Sequence, residues 1–195
     1  TGALMCAMAM TGLACAQSSG RAQPQAVAAP QPAAEGFTVR VKFNNPKNHK
    51  TLIAYSKGEE HVMDMNPAME DGYQVFRGSV DGVVLASFVV RSPDNVIQSG
   101  GGFIPGPGLS FVLRNGADVT IEGDAAKPYM ATVHSEDPEV QAYELFRTKD
   151  KVWVDRIWSM TKEHAAKGLP LDGEITSGGV SVASLEKEQR KWREE

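Results

Sequence analysis

At Ser135 the hydrophobic period of this chain changes, and the change divides what the two parts can fold into. Before it, Phe37, Val39, Val41 and Phe43 alternate with Thr38, Arg40 and Lys42. A period of two describes a strand with one buried and one wet face. After it, Tyr143, Phe146, Trp153, Ile157 and Met160 recur at helical spacing until Gly168-Leu169-Pro170 ends the run, and such a stripe is core-facing. Asp137 before Pro138 predicts an N-cap followed by proline in the first helical turn, with Glu136 and Glu139 near the positive end of the helix dipole. The expectation is a mainly β protein with C-terminal helices. Its β part should be an antiparallel β-sandwich or open barrel of about seven or eight strands between Phe37 and His134, followed by a long helix over 137–167.

Within the β region, turn chemistry at Asn44-Asn45-Pro46-Lys47-Asn48 predicts that the strand at 37–43 pairs as a hairpin with TLIAYS at 51–56. A short strand runs from His61 to Met65, and a Pro67 loop leads to the Asp71-Gly72 turn and a strand over Tyr73–Arg77. Residues 83–90, VVLASFVV, are apolar on both faces, which predicts a central strand covered on two sides. Gly100–Gly108 reads as a long loop rich in glycine and proline. LSFVLR at 109–114 and VTIEG at 119–123, joined through Asn115-Gly116-Ala117-Asp118, predict a second hairpin, and YMATVH at 129–134 a last strand. A loop over 172–183 then leads to a polar helix from Ser184, still running at Glu195 in the sequence EKEQRKWREE, which suggests a further domain beyond it.

The first sixteen residues have another character. Leu4, Met5, Ala7, Met8, Ala9, Met10, Leu13 and Ala14 form an uncharged apolar run closing on Ala14-Cys15-Ala16, the apolar core and small-residue cleavage site of an export signal. No basic leader precedes Thr1, so the true start is expected upstream. Cleavage after Ala16 would release a soluble protein beginning at Gln17. In the alternative, a lipoprotein, Cys15 is acylated and becomes the first residue, although Gly12 stands where lipoproteins usually have leucine. Residues 17–36 are Ala-, Pro- and Gln-rich with almost no bulky side chain, which predicts a disordered linker. The organisation expected is therefore signal peptide 1–16, linker 17–36, β domain 37–134 and helical extension 135–195. The protein is expected in the periplasm or cell envelope, touching a membrane only if lipidated. Twenty Lys+Arg against 24 Asp+Glu, mixed along the chain, argue against nucleic-acid binding.

Three stretches carry a family resemblance: Asp71-Gly72-Tyr73-Gln74-Val75-Phe76-Arg77-Gly78, then Phe111-Val112-Leu113-Arg114-Asn115-Gly116-Ala117-Asp118-Val119-Thr120-Ile121, then Ala131-Thr132-Val133-His134-Ser135. Over residues 37–150 the chain resembles the exported β domain of unknown function that precedes the thioredoxin fold in TlpA-like and AhpC/TSA-like thiol-disulfide oxidoreductases of Bacteroidetes. The resemblance implies a non-catalytic module that orients or dimerises a covalently linked thioredoxin-like domain, or selects its substrate among other cell-envelope proteins. His134 stands where that family has glycine, and the Cys-x-x-Cys of a thioredoxin domain is absent. No redox role therefore passes to any residue here.

Candidate sites are few, and no cofactor is called for. His61, Met63 and Met65 alternate along one strand face with Met69 close in sequence, and soft thioethers with an imidazole suit Cu(I) in an exported protein; the alternative is that the methionines fill a core face beside a surface histidine. Glu163-His164 has the elements of an acid-base pair but no nucleophile beside it. GGGFIPGPG lacks the Lys-Ser/Thr of a phosphate loop. No catalytic residue emerges. Two function classes follow: the non-catalytic module of an oxidoreductase-like protein, and a stand-alone envelope binding protein holding its ligand near the glycine loop or on the His61/Met63/Met65 face.

Overall fold

The computed structural model describes residues 36–44, 50–99 and 102–195. The export run with Cys15, almost all of the 17–36 linker and most of the 44–48 turn lie outside the described residues. Strands β1 (Phe37–Asn44), β2 (Lys50–Lys57), β3 (Glu60–Asp64), β4 (Ala68–Glu70), β5 (Tyr73–Gly78) and β6 (Val83–Arg91) lead to a 3-10 turn at Pro93–Asn95. Then come β7 (Val96–Ser99), β8 (Gly102–Pro105), β9 (Leu109–Arg114) and β10 (Asp118–Asp124), a 3-10 turn at Pro128–Met130, and β11 (Thr132–His134). Helix α1 (Pro138–Ala166), the short strands β12 (Thr176–Ser177) and β13 (Val180–Ser181), and helix α2 (Val182–Glu194) complete the chain. The protein is mainly β with C-terminal helices, and the eleven described strands before Ser135 exceed the seven or eight expected.

Two sheets share one core. The first has the order β11-β10-β1-β5-β4 and the second β3-β2-β6-β9. Val39, Val41, Val119 and Ile121 of the first meet Ile53, Phe88, Leu109 and Phe111 of the second in a single buried cluster. Phe37 packs edge-on against Tyr55 at 5.1 Å between ring centres, and Phe88 meets Phe76 at 5.9 Å. Such pairs add specific geometry to the burial of apolar area.

At two of the expected hairpins the chain instead crosses to the other sheet. Strand β1 does not pair with β2: it lies between β5, antiparallel, and β10, parallel, while β2 opens the second sheet. The β1–β10 pair is thus a parallel member of an otherwise antiparallel set among the described pairs. Likewise β9 and β10 are not a hairpin, since β9 pairs with β6 and β10 with β1. Asn115 supplies the reason. Its amide receives the Val80 N–H and donates to the Val80 carbonyl, both at 2.9 Å, so it ties the β9–β10 crossing to the β5–β6 crossing beside it. The Asp71-Gly72 pair does form a local hairpin, between β4 and β5, with both residues at positive φ (50° and 80°) as its turn geometry requires.

Three further expectations change. Strand β6 is interior to its sheet but covered on one face only: Ala86, Phe88 and Val90 are buried while Val83 and Leu85 are exposed. Gly100–Gly108 is not all loop, because Gly102–Pro105 pairs with Val96–Ser99 as the hairpin β7–β8. Of YMATVH, Tyr129 and Met130 sit in a 3-10 turn and Thr132–His134 form the strand.

Helix α1 starts as the sequence indicates. Asp137 Oδ1 accepts from the Glu139 and Val140 N–H groups at 3.0 and 3.3 Å, and its Oδ2 pairs with Arg114 of β9 at 2.6 Å. The buried face is turned from the expected stripe: Val140, Arg147, Asp150, Trp158 and Met160 are buried, Tyr143, Trp153 and Ile157 half-buried and Phe146 exposed. Polar anchors cause the rotation. Arg147 donates to the Tyr129 and Ala131 carbonyls and to Glu144, which fastens α1 to the sandwich. Asp150 accepts from Gln189 at 2.8 Å and from both arms of Arg193 at 2.8 and 2.7 Å, and Phe146 stacks on Trp192 at 5.2 Å, so α2 is held along α1. A buried charge that is fully bonded in this way is tolerated; one left unpaired is not.

Candidate functional site

The second sheet presents the chemistry worth weighing, on its outer face. Edge strand β3 turns Val62 toward the core and His61 and Met63 outward, opposite Ser56 and Ala54 of β2. Met63 is 63% exposed, so it fills no core face. Met65, 59% exposed, follows the end of the strand, and Met69, 67% exposed, lies on β4 in the other sheet opposite Gln74. The structure therefore joins His61 and Met63 on one strand face and separates Met69 from them. Among the described residues no three His, Cys, Asp or Glu side chains group as a metal site. Glu163 pairs with Lys167 at 2.8 Å and His164 Nε2 meets the Pro170 carbonyl at 3.1 Å, so both belong to the end of α1.

On the same outer face, beyond β2 and β6, the β7–β8 hairpin closes a groove of about 630 Å³. Its apolar lining includes Leu52, Val89, Val96, Phe103 and Pro105. Leu52 and Val89 are cross-strand partners, and in the next outward-facing register position Lys50 stands opposite Arg91, which also lines the groove. The hairpin is anchored from behind: Ile97 is buried with Tyr129 and Trp158 of α1 in a second apolar cluster. Lys162 of α1 donates to the Asp94 carbonyl at 3.0 Å, fixing the 3-10 turn that precedes β7.

A polar latch sets the floor. Asn95 is buried, its Nδ2 donates to the Pro107 carbonyl at 3.2 Å, and its own carbonyl accepts from Gly106 N–H at 2.7 Å. A Cβ at Gly106 would lie 2.1 Å from Asn95 Oδ1, so this glycine is required by close approach. Asn95 Oδ1 has no hydrogen-bond partner and is buried against that glycine. The glycine-rich stretch is one of the expected ligand locations, but the groove is completed by Val89 and Arg91 of the preceding strand β6 and by Leu52 of β2, which is distant in the chain.

Two other concavities are lined by paired charge. A cleft of about 520 Å³ at the start of α1 includes Arg40, Arg114, Asp118, His134 and Asp137, with Arg40 bonded to Asp118 and Arg114 to Asp137. One of about 380 Å³ under α1 includes Tyr143, Arg147, Asp150 and Arg193, whose charged members hold the helices as described. At the edge of the latter, burial and a 2.9 Å hydrogen bond to Asp155 push the Tyr129 hydroxyl well above its ordinary range. Hydrogen bonding from Lys127, reinforced by Tyr129, holds Asp155 below the usual carboxylate range. These groups brace the 3-10 turn at Pro128–Met130 against α1.

Comparison with protein-family models, with curated proteins and with solved structures finds no match.

Proposed function

We propose that this chain is a non-catalytic binding module of the cell envelope that holds its ligand in the groove between the second sheet and the β7–β8 hairpin. The observation that carries this reading is the combination of a preformed apolar groove with Phe103, 61% exposed, on its rim. Exposed aromatic and aliphatic side chains around a concavity of this size mark ligand sites. The charged clefts, in contrast, are walled by ion pairs that secure the helices. Export rests on the apolar run Leu4–Ala16, and the resemblance would set the module before a thioredoxin-like domain, where a bound ligand or substrate protein is delivered to a neighbouring thiol chemistry.

The test is a titration of residues 17–195 with the neutral fluorophore N-phenyl-1-naphthylamine. Saturable enhancement that Val89→Arg abolishes, while the circular dichroism spectrum is unchanged, is expected; enhancement unaffected by the substitution removes the groove from the account. The same fragment should not reduce insulin disulfides, because the chain's two cysteines are Cys6 and Cys15.

A second reading has its own observation, the outward placement of His61 and Met63 together. On it the chain binds Cu(I), with Met65 reaching in from beyond the strand. Competition against a Cu(I) chelator under reducing conditions should show binding lost in the Met63→Ala/Met65→Ala double variant, and a wild type that leaves all copper on the chelator contradicts it.

A further inference from the structure

The groove carries cationic charge on one side, where Arg91 lines it and Lys50 stands opposite Arg91 without lining it. Lys50 and Arg91 stand opposite one another on the outward face, one register position beyond the apolar pair Leu52 and Val89. Among the described residues neither cation takes part in an ion pair, whereas Arg40, Arg77, Arg114, Arg147 and Arg193 all do. An apolar trough flanked by two cations that are unpaired among the described residues is complementary to an apolar body with one anionic end.

The polar groups along the trough argue against a peptide. Ser92 Oγ already accepts from the Asp94 N–H at 3.1 Å, Asn95 Nδ2 and its backbone carbonyl are engaged with Pro107 and Gly106, and Asn95 Oδ1 is shut in against Gly106, which leaves Gln98 as the uncharged polar side chain of the lining open to a ligand. Pro105 and Pro107 on the hairpin side have no N–H to offer a peptide carbonyl. A peptide's amides would lie beside a wall that returns few hydrogen bonds, and each amide left unpaired costs free energy. A hydrocarbon chain has no such requirement. A volume of about 630 Å³ is also a small-molecule dimension, whereas a stable protein partner needs about 800 Å² on each side.

We infer that the groove binds a free long-chain fatty acid, its acyl chain along Leu52, Val89, Val96 and Phe103 and its carboxylate at Arg91 and Lys50. This rests on the groove being the binding site, and it adds the chemical class of the ligand. Arg91 offers the planar, two-pronged donor set that matches a carboxylate, and Lys50 supplies a second charge.

The experiment compares two probes that differ in charge and by one methyl group, 11-(dansylamino)undecanoic acid and its methyl ester, titrated into residues 17–195 with palmitate as the displacing ligand. The acid is expected to bind about tenfold more tightly than the ester, as one charge-assisted contact would give. Arg91→Gln with Lys50→Gln should bring the acid down to the ester's affinity and leave the ester unchanged. Raising sodium chloride should weaken only the acid. Palmitate should displace both probes, and an acidic peptide neither. Equal affinity for acid and ester, or an acid affinity indifferent to the double substitution, overturns the fatty-acid assignment while the apolar groove stands. Failure of both probes to bind a folded protein overturns the groove reading itself. Displacement by the acidic peptide but not by palmitate would assign the site to a peptide instead.

Discussion

The two faces of the second sheet are built from the same strands and the same kind of residue, yet only one is closed. Along β6, Ala86, Phe88 and Val90 are buried against the first sheet, while Val83 and Leu85, earlier on the strand, remain exposed, Leu85 at 59% at the edge of the cleft under α1. Along β2, Ile53 is buried and its neighbour Leu52 lines the groove. The inner face is required for folding. The outer face has more apolar surface than folding uses, and it is there that the hairpin β7–β8 encloses a site. A strand apolar on both sides need not be buried on both; the uncovered side is where a ligand gains its affinity.

The contrast is sharpest for substitutions on one strand. Phe88→Ala should lose about 3–5 kcal/mol of unfolding free energy in urea, the range for a large aromatic removed from a core. Leu85→Ala, three residues earlier on the outer face, should stay within about 0.5 kcal/mol of wild type. Comparable losses at both positions would mean that the outer face is covered after all.

Next in size is the junction between sandwich and helix. Asp137→Ala removes both the cap of α1 and one of the two carboxylate partners of Arg114, the other being Glu139, and should cost about 1–2 kcal/mol. Arg114→Gln should cost less, since it leaves the cap in place. If the two variants were equally destabilised, the ion pair rather than the cap would hold the helix start.

A smaller effect is expected from pH. Burial first, and then the bond to Asp155, raises the Tyr129 pKa above its ordinary 10.0, so the folded protein retains this proton more tightly than the unfolded chain. The associated stability is complete below the unfolded pKa and is lost as pH rises from about 10 toward the folded value. The melting temperature of the wild type should therefore fall more steeply in that window than that of Tyr129→Phe. Parallel declines would show that the Tyr129 proton contributes nothing to the alkaline limb.

Local chemistry was legible and long-range partnership was not. The alternation in Phe37–Phe43 and the Asp137-Pro138 helix start both appear as the sequence indicates, because each depends on residues within one turn or one strand. Asn115-Gly116 also marks a true turn, but its asparagine bonds to Val80, 35 residues away, and sends the next strand to the other sheet. Nothing local announces that partner. The helix stripe was misaligned for a similar reason: Arg147 and Asp150, polar in sequence, are buried by carbonyls and by α2, which are distant groups. The candidate site divides in the same way. Its glycine-rich wall was visible, whereas the cross-strand pairs Leu52–Val89 and Lys50–Arg91 exist only once the register of β2 on β6 is set.

An amide-correlation NMR titration of the isotope-labelled protein with dansyl-undecanoate tests residue by residue whether the uncovered face of the second sheet is a binding surface. Shifts concentrated at Leu52, Val89, Arg91, Val96 and Phe103, with Val39 and Val119 in the core unmoved, are predicted. Shifts gathered instead around His134 and Asp137 at the polar cleft, with the groove silent, would contradict it.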